Sequence, residues 1–224
     1  MPKAITVQQI YDRLLSHYGH QDWWPADSPF EVIVGAILTQ NTAWTNVEKA
    51  LANLKFEKLL TPKKLARVSL PKLATLIRPA GYYNQKAKKL KIFLDYLSAE
   101  YGLNLERFLR LPTERLREEL LSLWGIGEET ADSICLYAAN KPIFVVDAYT
   151  VRVFSRMGLV SEDISYAALQ TLFMSNLKHD ARFFNEYHAL IVMHGKLTCR
   201  KREPLCTACL LQKNCAYSNR QSIS

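Results

Sequence analysis

Four of the chain's five cysteines fall within seventeen residues: Cys199, Cys206, Cys209 and Cys215, spaced C-x6-C-x2-C-x5-C. Thiols packed this densely, in a chain with no secretory features, imply a bound metal centre, with a disulfide pair as the weaker alternative. Zinc sites favour two short C-x2-4-C knuckles set well apart. Here a single short knuckle is flanked by gaps of six and five. A [4Fe–4S] cluster also takes four thiolates and needs no paired knuckles. The spacing favours iron–sulfur and leaves zinc open. Cys135 lies outside the spacing and reads as a small buried hydrophobe.

With 224 residues, 49% of them hydrophobic, the chain can build one large domain or two small ones. It has no run of eighteen apolar residues, and Met1-Pro-Lys-Ala-Ile-Thr-Val-Gln-Gln-Ile10 has no apolar signal-peptide core. Membrane-spanning and secreted classes are thereby disfavoured, and a reducing cytoplasm is expected. The formal charge of +8 points to a polyanionic partner, nucleic acid first, against the plain alternative of a merely basic protein. Lys86, Lys88, Lys89 and Lys91 form one basic run; Arg200, Lys201 and Arg202 form another inside the first cysteine loop.

The apolar pattern is helical almost throughout. Trp44, Val47, Leu51 and Leu54 share one face, as do Leu90, Phe93, Leu94 and Leu97 after Asn84, a candidate N-cap. Leu116, Leu120 and Leu123 follow the start signal Pro112-Thr113, and Ile10, Leu14 and Leu15 mark a first helix ending near Gly19. The run Pro142-Ile-Phe-Val-Val146 has strand character but no partner run, and reads as a buried connector. Within Leu123-Trp-Gly-Ile-Gly-Glu-Glu-Thr-Ala131, Gly125 and Gly127 sit between two helical patterns. They predict a hairpin turn feeding a helix N-terminus, where free N–H groups hold a phosphate oxygen. Further on, Val145-Val146-Asp147 ends an apolar run on a carboxylate.

Hairpin, aspartate and cysteine spacing in this order resemble the helix-hairpin-helix DNA glycosylase superfamily, specifically its endonuclease III branch. The resemblance runs from about Phe30 to Cys215. It is carried also by Leu38-Thr39-Gln40-Asn41-Thr42, by Gly81-Tyr82-Tyr83-Asn84-Gln85-Lys86-Ala87, and by His194-Gly195-Lys196 before Cys199. It implies a [4Fe–4S] cluster on the four cysteines in preference to zinc. It also implies a catalytic role for Asp147, whose carboxylate would stabilise positive charge on the deoxyribose and orient water. Capping the helix that starts at Ala148 is the plain reading of the same residue. By the same resemblance Gln40 fills the gap left by an extruded base and Tyr82 is the wedge; helix-end and loop structure is the alternative for both. Gly125, Gly127, Arg200, Lys201 and Arg202 would contact the DNA backbone. His194 reads either as a group lining the cleft or as a buried, satisfied histidine.

Bifunctional members carry a lysine directly before the hairpin's Thr-Ala, and this chain has Glu129 there. A carboxylate forms no imine, so strand cleavage is expected to be absent or weak. Asp22-Trp23-Trp24-Pro25, the nearby Trp44 and the loop from Arg78 to Lys88 are similar to endonuclease III-like 3-methyladenine DNA glycosylases. That similarity implies a base pocket of Trp23, Trp24, Pro25, Trp44 and Lys196, in which electron-rich indoles stack on a cationic purine. Core packing is the alternative for the tryptophans.

The expected fold is all-α and two-lobed. A six-helix bundle over 28–139 would carry the hairpin, and 1–27 with 140–224 would form a second lobe carrying the cluster. The expected protein is a monomeric, monofunctional glycosylase that removes alkylated purines from double-stranded DNA. An endonuclease III-type enzyme for oxidised pyrimidines and a non-catalytic damage binder are the rivals.

Overall fold

The computed structural model describes residues 5–221, which contain helices and no strand. They divide into two compact units: Trp24–Lys141, and the residues up to Trp23 together with those from Pro142 onward.

The chain opens with α1 (Val7–Tyr18). Thr6 caps it by accepting the Gln9 N–H, while Gln9 accepts the Thr6 N–H in return. Gly19, at φ 70°, ends the helix where it was expected to stop.

The Trp24–Lys141 unit is built on α2 (Pro29–Leu38), which starts at the N-cap Ser28 and buries every residue from Phe30 to Leu38. A helix apolar all round belongs at the centre of its unit. Around it come α3 (Trp44–Phe56), α4 (Pro62–Ala66), α5 (Leu70–Leu76), α6 (Tyr83–Tyr101), α7 (Leu105–Leu109), α8 (Thr113–Leu121) and α9 (Glu128–Ser133), which runs on as a π-turn over Ile134–Ala138. α2 packs against α3, α6, α9 and the π-turn. The expected count of six helices rises to eight α-helical segments among the described residues. Segments as short as α4 and α7 hold too few residues to display an apolar stripe.

Two sequence expectations change here. Asn84 is not the N-cap of α6; Tyr82 is, in left-handed conformation at φ 44°, following Gly81 at φ 69°. Two consecutive positive φ values reverse the chain two residues earlier than an Asn84 cap would. The basic run, noted for a polyanionic partner, is divided: Lys88 is exposed, while Lys86 and Lys91 are taken up by backbone carbonyls. Lys86 is buried and donates to the Leu38 and Ala80 carbonyls, both at 2.8 Å. Lys91 donates to Ala66 at 2.6 Å and Val68 at 2.8 Å. These ammonium groups satisfy carbonyls at helix C-termini, where positive charge is favoured. Burial, and then Lys89, lowers the Lys86 pKa to about 8.

The other unit resumes with 143–146, a buried non-helical connector as expected, then α10 (Ala148–Met157), α11 (Tyr166–Asn176), α12 (Ala181–Leu197) and α13 (Ala216–Gln221). α1 and α10 both pack on α12. Its core is aromatic: Phe144 stacks on Phe173 at 3.8 Å, and Phe154, Phe184 and Tyr187 are fully buried around them. Each such ring stabilises the unit by about 1.5–3 kcal/mol on burial. No described helix is long and apolar enough to cross a membrane.

Candidate active site

In the unit that holds both termini, Asp147 closes the buried connector and caps α10. Its Oδ1 accepts from the Thr150 N–H at 2.7 Å and the Thr150 hydroxyl at 2.9 Å, and the capping box is reciprocated. Its Oδ2 lies 3.5 Å from Nε2 of His188, a residue of α12 whose side chain is 8% exposed. Burial pushes the Asp147 pKa up, but the hydrogen bond and charge of His188, with the two Thr150 bonds, outweigh it. The carboxyl is held below its usual range and is ionised at neutral pH. Sequence reasoning missed His188. It stands 41 positions after Asp147 in a stretch without a motif, and only the packing of α10 on α12 brings the two together.

That packing is close because Gly195 has no side chain: a Cβ there would lie 2.5 Å from the Tyr149 ring. Arg152 of α10 then donates to the Gly195 and Cys199 carbonyls, each at 2.9 Å. One turn on, Arg156 donates to the Arg200 carbonyl at 2.6 Å and the Lys201 carbonyl at 3.0 Å. The helix capped by Asp147 thus holds the start of the cysteine loop by its backbone. The side chains of Arg200, Lys201 and Arg202 are exposed. Lys196 is exposed, with its ammonium 5.6 Å from the Trp23 ring.

The four cysteines follow α12 on one loop and two 3-10 turns. Cys199 Sγ lies 3.5 Å from Arg156 Nη1, Cys215 Sγ lies 3.3 Å from the Arg156 carbonyl, and Cys209 Sγ lies 3.8 Å from His194 Nε2. Burial, then the neighbouring cysteines, push the Cys206 thiol up. Burial pushes Cys209 to about 11, the other three cysteines adding to the rise against a backbone hydrogen bond from Leu211. Cys206 and Cys209 thus lie within electrostatic reach of other cysteines of the spacing, and a metal centre takes cysteines as thiolates. Among the described residues no three metal-binding side chains converge on a single ion position. A cluster with one thiolate per iron does not call for such convergence, and the all-sulfur donor set fits it.

In the Trp24–Lys141 unit, Trp24 sets its ring perpendicular to Trp44 at 4.9 Å and tilted to Tyr137 at 5.2 Å. Gly35 of α2 lies beneath, where a Cβ would meet Trp24 at 3.2 Å and Trp44 at 3.5 Å. Tyr137 was not anticipated, since one tyrosine in a helical pattern gives no signal. Pro25 is exposed beside this cluster. Trp23 and Trp24 thus pack within different units.

The hairpin runs from α8 through Gly125, at φ 83°, to Gly127, which caps α9. Gln40, at the end of α2, donates to the Gly125 carbonyl at 3.1 Å and the Thr130 hydroxyl at 2.9 Å, and accepts from Lys89. Gln40, Tyr82 and Lys89 share a depression of about 220 Å³. Tyr82 is 69% exposed at its rim. Glu129, in the first turn of α9, is also exposed.

An all-helical chain with a glycine hairpin between two helices defines the helix-hairpin-helix class. The family model described as HhH-GPD superfamily base excision DNA repair protein matches residues 34–179, and the chain belongs to that family of base-excision-repair DNA glycosylases. It is 50% identical, over 95% of its length and 97% of the relative's, to a protein of Methanocaldococcus jannaschii named as a DNA repair glycosylase. A solved non-covalent complex of endonuclease III with DNA superposes with a TM-score of 0.84 at 25% identity, covering 99% of this chain and 100% of that one. The Helicobacter pylori 3-methyladenine DNA glycosylase bound to 1,N6-ethenoadenine superposes with a TM-score of 0.75 at 30% identity, covering 86% and 98%. The endonuclease III branch expected from the sequence is borne out.

Proposed function

We propose that this chain is a monofunctional glycosylase that hydrolyses the bond between C1′ and an alkylated purine in double-stranded DNA. The observation that carries the reading is the Asp147 carboxylate at the end of the buried connector, fixed by Thr150 on Oδ1 and facing His188 Nε2 at 3.5 Å with Oδ2. When the glycosidic bond breaks, its electron pair leaves with the base and positive charge grows on the sugar. A purine alkylated at N3 or N7 is cationic and departs neutral, so it needs no general acid. A carboxylate held deprotonated suits that reaction: it stabilises the sugar cation, orients the water whose oxygen bonds to C1′, and accepts the proton that water loses before passing it to solvent. His188 and Thr150 are positioning residues that hold the orientation of the carboxylate, one against each oxygen.

The aromatic group Trp24, Trp44 and Tyr137 supports an electron-poor base as the ligand, since stacking on indole favours cationic rings. Trp23 and Lys196, paired at 5.6 Å within the other unit, and Pro25 are proposed as further base-contacting residues. Gln40 and Tyr82 are proposed to occupy the distorted duplex, and Gly125 and Gly127 to hold a phosphate oxygen at the hairpin. The higher structural likeness to endonuclease III supports oxidised pyrimidines as a second reading. A panel of duplexes with one lesion each separates the two. Release of 3-methyladenine, weakened by Trp24→Ala and Trp44→Ala by about 1–3 kcal/mol of stacking each, is expected. Release of oxidised pyrimidines alone would overturn the alkylpurine assignment.

Cys199, Cys206, Cys209 and Cys215 are proposed to hold a [4Fe–4S] cluster that orders the loop after α12. Purified protein should contain iron and sulfide at about four per chain. Replacing any one cysteine should lower the melting temperature. Stoichiometric zinc in protein from iron-replete cells would assign the site to zinc.

Arg200, Lys201 and Arg202 are proposed to meet DNA phosphates, their backbone being held by Arg156 while their side chains extend outward. Replacing all three by Ala should make the log–log salt dependence of binding shallower by about 0.9 per lost contact, for every duplex alike. An unchanged slope would place this loop away from DNA.

A further inference from the structure

His194 is buried to 1% exposure at the end of α12, five residues before Cys199. Its carbonyl accepts from the N–H groups of Thr198 at 2.9 Å and Cys199 at 2.8 Å, so its backbone already anchors the loop. The side chain has separate business. Nδ1 lies 3.1 Å from the Tyr18 hydroxyl of α1, that hydroxyl lies 2.8 Å from the Thr198 hydroxyl, and Nε2 lies 3.8 Å from Cys209 Sγ. Three polar groups from α1, α12 and the start of the loop therefore line up on one sulfur. A histidine serving only as filler needs neither the aim at Cys209 nor the two hydroxyls behind it.

We propose that His194, oriented by Tyr18 and Thr198, donates its Nε2–H to the Cys209 sulfur and thereby stabilises a cluster bound there; this rests on the iron–sulfur reading above. The directions follow from donor counting. A ligating thiolate has no proton to give, so an Nε2 lone pair facing it would be repelled. The ring proton therefore sits on Nε2, and Nδ1 accepts from Tyr18. The Tyr18 oxygen is then free to accept from Thr198, which completes the chain. Outer partners of metal-bound groups fix their orientation and basicity in this way. Cys209 also lines a depression of about 670 Å³ with Arg13, Ser16, His17 and Lys213. A donor facing a sulfur that grows more negative on reduction favours the reduced cluster, so its loss should lower the reduction potential.

The test uses the full-length protein as purified with its cluster, and begins with iron and sulfide content of the wild type. His194→Phe should lower the midpoint potential in protein-film voltammetry. It should also speed bleaching of the cluster absorption by ferricyanide and a chelator by roughly 10-fold. Tyr18→Phe and Thr198→Val, which keep size and packing, should shift both readouts in the same direction by progressively less. His194→Gln, which retains an N–H, should lie closer to the wild type. Variants that load iron fully and match the wild type in potential and bleaching overturn this assignment while leaving the cluster intact. A wild type without iron and sulfide overturns the cluster reading and this inference with it. Should His194→Phe not load, Tyr18→Phe and Thr198→Val decide by the same criteria.

Discussion

Asp147→Asn is expected to slow single-turnover base release by about 10³-fold or more, with DNA affinity nearly unchanged. The substitution separates the helix cap from the proposed catalytic role. Asn caps helices as well as Asp does, and its side-chain oxygen can still accept from Thr150. What disappears is the charge proposed to face the sugar, which would act on a cation formed only in the transition state. Asp147→Ala removes the cap too and should cost about 1 kcal/mol of stability in addition. The acid limb gives a second check. A carboxyl held below its usual value in the fold stabilises the fold above the unfolded value near 3.8, and that contribution fades as pH falls through the lower folded value. The wild type should lose this increment in acid unfolding monitored by circular dichroism, and Asp147→Asn should not. Near-normal single-turnover excision by Asp147→Asn would remove the carboxylate from the chemistry.

What the sequence disclosed and what it hid follow from how local each feature is. The hairpin glycines, the connector ending at Asp147 and the four cysteines are short-range patterns, and spacing alone located them. The helix starting at Thr113 and the stop at Gly19 were equally legible, because caps and breakers act within one turn. His188 and Tyr18 were not, since each reaches its partner only through packing on or within α12, and neither lies in a motif. The lysine run hid the roles of Lys86 and Lys91 for a related reason: the carbonyls they bind, of Leu38, Ala80, Ala66 and Val68, lie in other elements. Gln40 shows a third limit. The glutamine was singled out for a gap in DNA, yet in the free protein its amide is bonded to Gly125 and Thr130, so any insertion must first release the hairpin.

The position of Glu129 sets the other large expectation: base release without strand cleavage. Lyase chemistry begins when an amine attacks C1′ of the sugar and forms an imine, which then lets the 3′ phosphate leave. Glu129 stands in the first turn of α9, one residue before Thr130, and a carboxylate cannot take that part. Product DNA should therefore remain a full-length abasic strand until alkali is added, and borohydride should trap little or no covalent complex. Two amines of the basic run are otherwise engaged. Lys86 is buried on two carbonyls, and Lys89 donates to Gln40. Lys196 is the exposed amine beside Trp23, and it supplies the control. Efficient trapping that vanishes in Lys196→Ala would show that the lyase role has moved rather than been lost. Glu129→Lys provides the converse. If the turn presents residue 129 to the sugar, alkali-independent cleavage and a trapped complex should appear. Their absence, with base release intact, would mean that the shape of this turn, and not one missing amine, keeps the enzyme monofunctional.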